Sequence, residues 1–110
     1  SYAAACPFCI DMNSYQYSEK HISEEEYAVL QGRRMLEEVN TFSEREKMAM
    51  QYARLISQTP LKFQPEFIEK LKQHFDEREI VILASTAAQV NYWARLIQSL
   101  GIPPAGFLTK

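Results

Sequence analysis

The sequence predicts an all-α fold, and three observations lead to that prediction. Apolar residues recur at helical spacing along most of the 110 residues. Three capping boxes stand directly before such segments. Proline or glycine stands where the segments end, and no segment is typical of a strand.

The first two helices are predicted in the N-terminal third of the chain. One runs over residues 2–17, with Pro7 near its beginning or at a local helix start. The next begins after a capping box in which Ser23 is followed three residues later by Glu26, and Gly32 ends it.

The third helix is predicted from a second capping box, formed by Ser43 and Glu46, and it ends before Pro60. Its apolar residues share one stripe with charged residues opposite: Met48, Tyr52, Leu55 and Ile56. Pro65 suits the first position of a fourth helix.

The fifth helix is the longest; Asp76 with Glu79 forms a third start signal of the capping-box kind, so the helix begins at Glu77, and Gly101 ends it. Residues 80–88 are apolar on nearly every side, which is typical of a helix covered on every side. Because one small domain can hardly cover such a helix, we expect self-association. The alternative is the central helix of a monomeric bundle.

Composition and charge predict one domain over residues 1–110 and disfavour some functions. Hydrophobic residues make up 46% and charged residues 24%, which allows a packed core. A net charge of −2 with no basic stripe disfavours nucleic-acid binding through phosphates. No apolar run approaches the roughly 20 residues of a membrane span, and no secretory leader is evident. We therefore expect a cytoplasmic protein that binds neither membrane nor nucleic acid.

The chemistry of the chain centres on its two cysteines, Cys6 and Cys9, which form a Cys-x-x-Cys pair around Pro7. On a helix, both cysteines and Asn13 lie on one face. A thiolate is favoured near a helix N-terminus, and a pair at this spacing can close a disulfide. A redox dithiol is the preferred interpretation for such a pair.

Two other interpretations of the cysteines stay open. A structural zinc site needs four ligands, but His21 and His74 form no recognisable ligand motif with the pair. The cysteines could also be two small buried residues, because free cysteine is among the most buried residue types.

Three segments resemble a known family over essentially the whole chain: "CPFCIDMN" at 6–13, "FSEREKMAMQYARLIS" at 42–57 and "FDEREIVILASTAAQVNYWARLIQSLGIPP" at 75–104. They resemble the carboxymuconolactone decarboxylase superfamily, most closely its alkyl hydroperoxidase D-like branch. The resemblance implies an all-helical homo-oligomer, commonly a trimer or hexamer. It also implies a peroxidase with no cofactor or metal, which an external thiol or disulfide reductant regenerates.

The resemblance also implies a role for each cysteine. Carried over by position, Cys9 matches the cysteine that attacks peroxide, and Cys6 matches the resolving cysteine. Helix electrostatics alone favours Cys6 as the nucleophile. We therefore assign peroxide to Cys9 and contact with an external disulfide to Cys6.

The chain departs from the family pattern at Asn13, where the motif usually has histidine. An amide can donate a hydrogen bond to a thiolate, but it cannot relay a proton. The family also uses a glutamate upstream of the first cysteine, a region that would lie before Ser1. Two possible substitutes, Asp11 and His21, are more typical of solvated or capping residues, and Tyr15 and Tyr17 of packing residues.

The sequence thus predicts a thiol-dependent peroxidase, weak or altered because its usual base is absent. One alternative is a carboxymuconolactone decarboxylase-like lyase, whose activity would not depend on the cysteines. The other is a non-catalytic oligomeric binding protein. The segment around Trp93 is expected to supply a core or subunit-interface anchor, although Asn91, Tyr92, Trp93 and Arg95 could also line a pocket.

Overall fold

The computed structural model describes residues 1–109, and all regular structure in that range is helical, as predicted. Five α-helices follow in chain order: α1 (Pro7–Ser14), α2 (Glu24–Leu30), α3 (Glu44–Ile56), α4 (Pro65–His74) and α5 (Glu77–Ser99). Short 3₁₀ turns occupy Tyr17–Lys20, Leu36–Glu38 and Phe107–Thr109. Among the described helices, none is both long and apolar enough to cross a membrane.

The predicted starts of α2, α3 and α5 are confirmed by their hydrogen bonds. The Ser23 hydroxyl accepts from the Glu26 amide at 3.1 Å, while the Glu26 carboxylate accepts from the Ser23 amide at 2.9 Å. The Ser43 box has the same geometry. Asp76 and Glu79 exchange the equivalent two bonds, and α5 begins at Glu77, directly after Asp76, as predicted. Pro65 is the first residue of α4. Each box satisfies two backbone donors that a helix leaves unpaired at its N-terminus.

The first helix is shorter than predicted: it does not begin at residue 2, but Pro7 is confirmed as a helix start. Proline disfavours helical backbone in the residue before it, and Cys6 accordingly has extended angles, with φ −106° and ψ 104°. Upstream, Ala5 has a left-handed φ of 51°, and its amide donates to the Tyr2 carbonyl at 3.0 Å. At the other end, Gln16 is also left-handed, so the helix does not reach Tyr17.

The chain divides into two compact units, and the prediction of a single domain stays a prediction. The first unit contains residues 1–41 and the chain from Val90 onward. Its buried cluster is formed by Cys6, Cys9 and Ala94, with Ala4 and Phe8 packed against it. This unit therefore contains the whole Cys-x-x-Cys segment and the C-terminal part of α5.

The second unit, Phe42–Gln89, contains α3, α4 and the N-terminal part of α5. Met48 and Leu71 are its most deeply buried side chains. The rest of the predicted α3 stripe, Tyr52, Leu55 and Ile56, is partly buried. Tyr52 packs its ring against those of Phe63 and Phe67, with centroids 5.8 and 6.2 Å away.

Helix α5 is not the fully covered central helix of a monomeric bundle. Val81 is 62% exposed in the second unit, and in the first unit Tyr92 and Trp93 are 61% and 45% exposed. Ala94 is the buried residue of this helix. Thus one chain leaves much of the apolar surface of α5 in contact with solvent, and self-association stays a prediction.

Candidate dithiol site

The N-terminus of α1 places the two cysteines together. Cys6 is the N-cap residue, and its Sγ accepts a hydrogen bond from the Cys9 amide at 3.3 Å. The Cα atoms lie 5.2 Å apart, and the two sulfurs are joined as a disulfide. One turn of helix therefore brings the pair within the Cα separation of ordinary disulfides.

Both cysteines are buried in the first unit. Cys6 is 0% exposed and Cys9 is 4% exposed, and the surrounding side chains are Ala4, Phe8 and Ala94. In this disulfide form, little of either residue is therefore accessible to a dissolved reagent.

The electrostatics of the first turn favour a thiolate. Its residues are proline, phenylalanine, cysteine and isoleucine, so the turn itself adds no negative charge. The unpaired amides of a helix N-terminus stabilise a negative charge at the N-cap, which here is Cys6. The Cys9 amide already points at the Cys6 sulfur, and the same bond would be stronger to a thiolate.

Asn13 lies exposed near the end of α1, and both its side chain and its backbone carbonyl are hydrogen-bonded. Its amide nitrogen donates to the Ser1 hydroxyl at 2.9 Å. Its backbone carbonyl accepts from the Lys20 ammonium at 2.8 Å. In this conformation the amide thus supports the segment before α1 rather than a cysteine sulfur.

Of the two roles expected for Asp11, the solvated one is wrong, because the residue is buried. The capping role agrees with the backbone amides that its carboxylate binds. The residue is 5% exposed, and its carboxylate accepts three backbone N–H groups. Oδ2 accepts from Gly106 and Phe107 at 3.0 Å each, and Oδ1 accepts from Leu108 at 2.8 Å. The only local signal is an acid between apolar neighbours, because its partners lie 95 to 97 residues away.

The other residues considered as substitutes have structural surroundings. His21 is exposed and left-handed, with φ 63°, at the end of a 3₁₀ turn. Tyr15 packs on Phe107 at 5.5 Å, and Tyr17 stacks on Tyr27 at 4.0 Å. Within the described residues, no group of three or more His, Cys, Asp or Glu side chains could hold a metal ion.

A tyrosine pair beside the cysteine segment was missed by sequence reasoning. The hydroxyls of Tyr2 and Tyr27 are 2.6 Å apart, and the Gln31 amide donates to the Tyr2 oxygen at 3.3 Å. Burial raises the pKa of Tyr2, but hydrogen bonds with Tyr27, Gln31 and Ser14 and the charge of Arg33 lower it, and the net shift is downward. The pKa of Tyr27 is raised by burial, by the hydrogen bond to Tyr2 and by the charges of Tyr2 and Tyr17. A hydrogen bond with Ser14 lowers it, but the net shift is upward.

The segment around Trp93 is not part of the core of this chain. Tyr92 and Trp93 are exposed and meet edge to face, with ring centroids 5.1 Å apart. Of the two structural roles expected for Trp93, the core role is therefore wrong, whereas the subunit-interface role stays a prediction.

Comparisons with known proteins give distant relatives. The chain is 28% identical over 101 residues to the uncharacterized protein YnjA of Escherichia coli (strain K12), covering 92% of this chain and 54% of that protein. It is 29% identical over 97 residues to the uncharacterized protein YdfG of Bacillus subtilis (strain 168), covering 87% of this chain and 64% of that one. The chain thus spans less than two thirds of the length of each. No protein-family model matches it, and no solved structure does.

Proposed function

We propose that this chain is a thiol-dependent peroxidase of the alkyl hydroperoxidase D-like type, in which Cys6 and Cys9 cycle between dithiol and disulfide. The observation that carries the proposal is the pairing of the two sulfurs within the first turn of α1, with Cys6 as its N-cap. The resemblance of "CPFCIDMN" to that family supports peroxide as the oxidant.

In the proposed cycle, the Cys9 thiolate attacks one oxygen of a hydroperoxide and the O–O bond breaks. Cys9 becomes a sulfenic acid, and the departing alkoxide takes a proton to form an alcohol. The Cys6 thiol then attacks the Cys9 sulfur, which forms the disulfide and releases water.

Regeneration of the dithiol requires an external reductant of the thiol class. Its thiolate attacks one sulfur of the disulfide and forms a mixed disulfide, which a second thiol resolves. Two electrons and two protons thereby return to the pair. We assign the first contact to Cys6: attack on its sulfur releases the Cys9 thiolate, and the second thiol then releases Cys6 as a thiolate, which the helix N-terminus favours.

The surroundings of the pair predict slow chemistry. The family that the chain resembles usually has a base, histidine, at the position of Asn13, but an amide cannot remove the thiol proton. The burial of both cysteines adds an opening step before peroxide can react. We therefore expect the rate to rise with pH as the thiolate fraction increases.

The burial of the pair also favours a second candidate, a non-catalytic binding protein whose cysteines pack in the core. In that case the thiols of the folded protein would ignore both peroxide and disulfide reagents.

The proposal includes self-association and a cytoplasmic location. Exposed apolar residues on α5, among them Val81, Tyr92 and Trp93, support a contact between copies of the chain. A reversible dithiol suits a reducing compartment, where a pair of this kind is more often catalytic than structural.

The deciding experiment is a thiol count on the fully reduced protein before and after one equivalent of an organic hydroperoxide. The peroxidase predicts rapid loss of two thiols per chain and their recovery with a dithiol. Two thiols oxidised by a disulfide but not by peroxide would reduce the proposal to a dithiol exchange module. Thiols unreactive to both reagents in the folded protein would contradict it and support packing.

A further inference from the structure

The buried carboxylate of Asp11 ties the cysteine helix to the C-terminal segment of the chain. It accepts the consecutive amides of Gly106, Phe107 and Leu108, at 3.0, 3.0 and 2.8 Å. Hydrogen bonds to a charged acceptor are about twice as strong as neutral ones. A second contact lies next to them, since the Phe107 ring packs on Tyr15 directly after α1.

Helix α1 depends on such anchors because it has only eight residues. Isolated helices shorter than roughly 12 residues are marginal in water. In the oxidised protein, the disulfide between Cys6 and Cys9 closes the first turn, and Asp11 anchors the second turn. Reduction removes the first anchor and leaves the Asp11 bonds, the bond between Asn13 and Ser1 and the packing contacts to hold the helix.

Building on the proposed dithiol cycle, we propose that Asp11 is a positioning residue of this site. By binding the amides of residues 106–108, it keeps α1 ordered in the reduced protein. It thereby holds the Cys6 and Cys9 Cα atoms near the 5.2 Å separation that the disulfide requires.

This role has a thermodynamic consequence. If α1 is ordered in only a fraction of the reduced molecules, the equilibrium constant for disulfide formation is lowered in proportion to that fraction. Loss of the Asp11 contacts therefore lowers the effective concentration of one thiol at the other and makes the disulfide easier to reduce. The coupling is reciprocal, so breaking the disulfide must also loosen the bonds between Asp11 and residues 106–108.

The first test equilibrates the protein with a small dithiol and its cyclic disulfide. In that reaction the dithiol gives two electrons and two protons to the protein disulfide and becomes a cyclic disulfide itself. For Asp11→Asn we expect the equilibrium constant for disulfide formation to fall about tenfold, equal to a potential about 30 mV more positive. The control Glu19→Gln removes an exposed acid of the same unit and is expected to match the wild type.

A second variant keeps the test decisive if Asp11→Asn does not fold. Leu108→Pro removes one of the three N–H donors and leaves Asp11 unchanged. We expect a shift of the same sign and smaller size. A value within twofold of the wild type for each folded variant would overturn the inference.

The second test needs no change at Asp11. Hydrogen exchange of the Phe107 and Leu108 amides is compared between the disulfide form and the Cys6→Ser, Cys9→Ser double variant, which cannot form the bond. We expect exchange about tenfold faster without the disulfide, and equal rates would overturn the inference. A wild-type disulfide that no dithiol reduces would instead contradict the proposed function, while this comparison would still report on Asp11.

Discussion

The hydroxyl groups of Tyr2 and Tyr27 lie 2.6 Å apart, and the two rings meet edge to face with centroids 6.0 Å apart. Tyr2 lies four residues before Cys6, whereas Tyr27 belongs to α2. The pair therefore joins the segment that precedes the dithiol helix to a second helix of the same unit.

Removing one hydroxyl of this pair should change the titration of the other. In Tyr27→Phe we expect the pKa of Tyr2 to rise, because the bond with Tyr27 is the largest of the contributions that lower it. Loss of the bond should also reduce the free energy of unfolding by about 1 kcal/mol. Ultraviolet absorbance of phenolate during an alkaline titration measures the first effect, and denaturant unfolding the second.

The control for this change is Tyr15→Phe, which removes a hydroxyl while keeping the ring that packs on Phe107. It should leave the Tyr2 titration unchanged. An unchanged Tyr2 pKa in Tyr27→Phe would show that the bond does not control ionisation.

Access to the dithiol should be limited by Phe8, which packs against the buried pair. In reduced Phe8→Ala we expect alkylation of the cysteines to become about tenfold faster, because opening the site disrupts fewer contacts. The measurement is the rate at which an uncharged maleimide modifies the cysteines of the reduced protein. Met12→Ala serves as the control because Met12 is an exposed residue of the same helix, and equal rates in both variants would rule out Phe8 as the barrier.

A proton acceptor at position 13 should raise the reactivity with peroxide. For Asn13→His we expect the second-order rate with an organic hydroperoxide to increase about 100-fold near neutral pH, the lower end of general-base effects. Asn13→Gln keeps an amide and is the matched control. If both variants react alike, proton transfer does not limit the reaction.

The N-terminal cap of α2 should weaken in acid. Bonds from the Ser23 amide and the Thr41 hydroxyl lower the pKa of Glu26 against a smaller effect of burial. A lowered pKa contributes stability that is present above the unfolded value, near 4.5, and is lost as the pH falls through the folded value.

The measurement is the free energy of unfolding between neutral pH and about pH 3. The difference between wild type and Glu26→Gln should shrink as the pH falls, since protonation removes the same charge. Glu25→Gln removes the same charge from an exposed neighbour and is the matched control. A constant difference for Glu26→Gln would show that its charge does not matter to the cap.

Self-association should depend on the exposed part of α5. Trp93 is 45% exposed, so Trp93→Glu removes apolar surface without opening the core, and we expect a smaller assembly by light scattering. Gln73→Glu, at an exposed position of α4, adds the same charge elsewhere. An unchanged mass in Trp93→Glu would place any subunit contact on another surface.

The sequence by itself determined the features that depend on neighbours a few residues apart. The bonds between Ser23 and Glu26, or between Asp76 and Glu79, join residues three positions apart, so the order of residues is sufficient to predict them. The same holds for the pairing of Cys6 with Cys9 across one turn. Pro65 likewise fixed the start of α4 through its own ring.

Only the tertiary structure decided which surfaces these helices cover. The hydrogen-bond partners of Asp11 lie 95 to 97 residues later in the chain. Its burial therefore depends on the position of the C-terminal segment and not on its neighbours in the sequence. Apolar character likewise did not distinguish buried Ala94 from exposed Trp93, which precedes it. Hydrophobic attraction is proportional to area and has no direction, so the sequence shows which surfaces are apolar but not which partner covers each one.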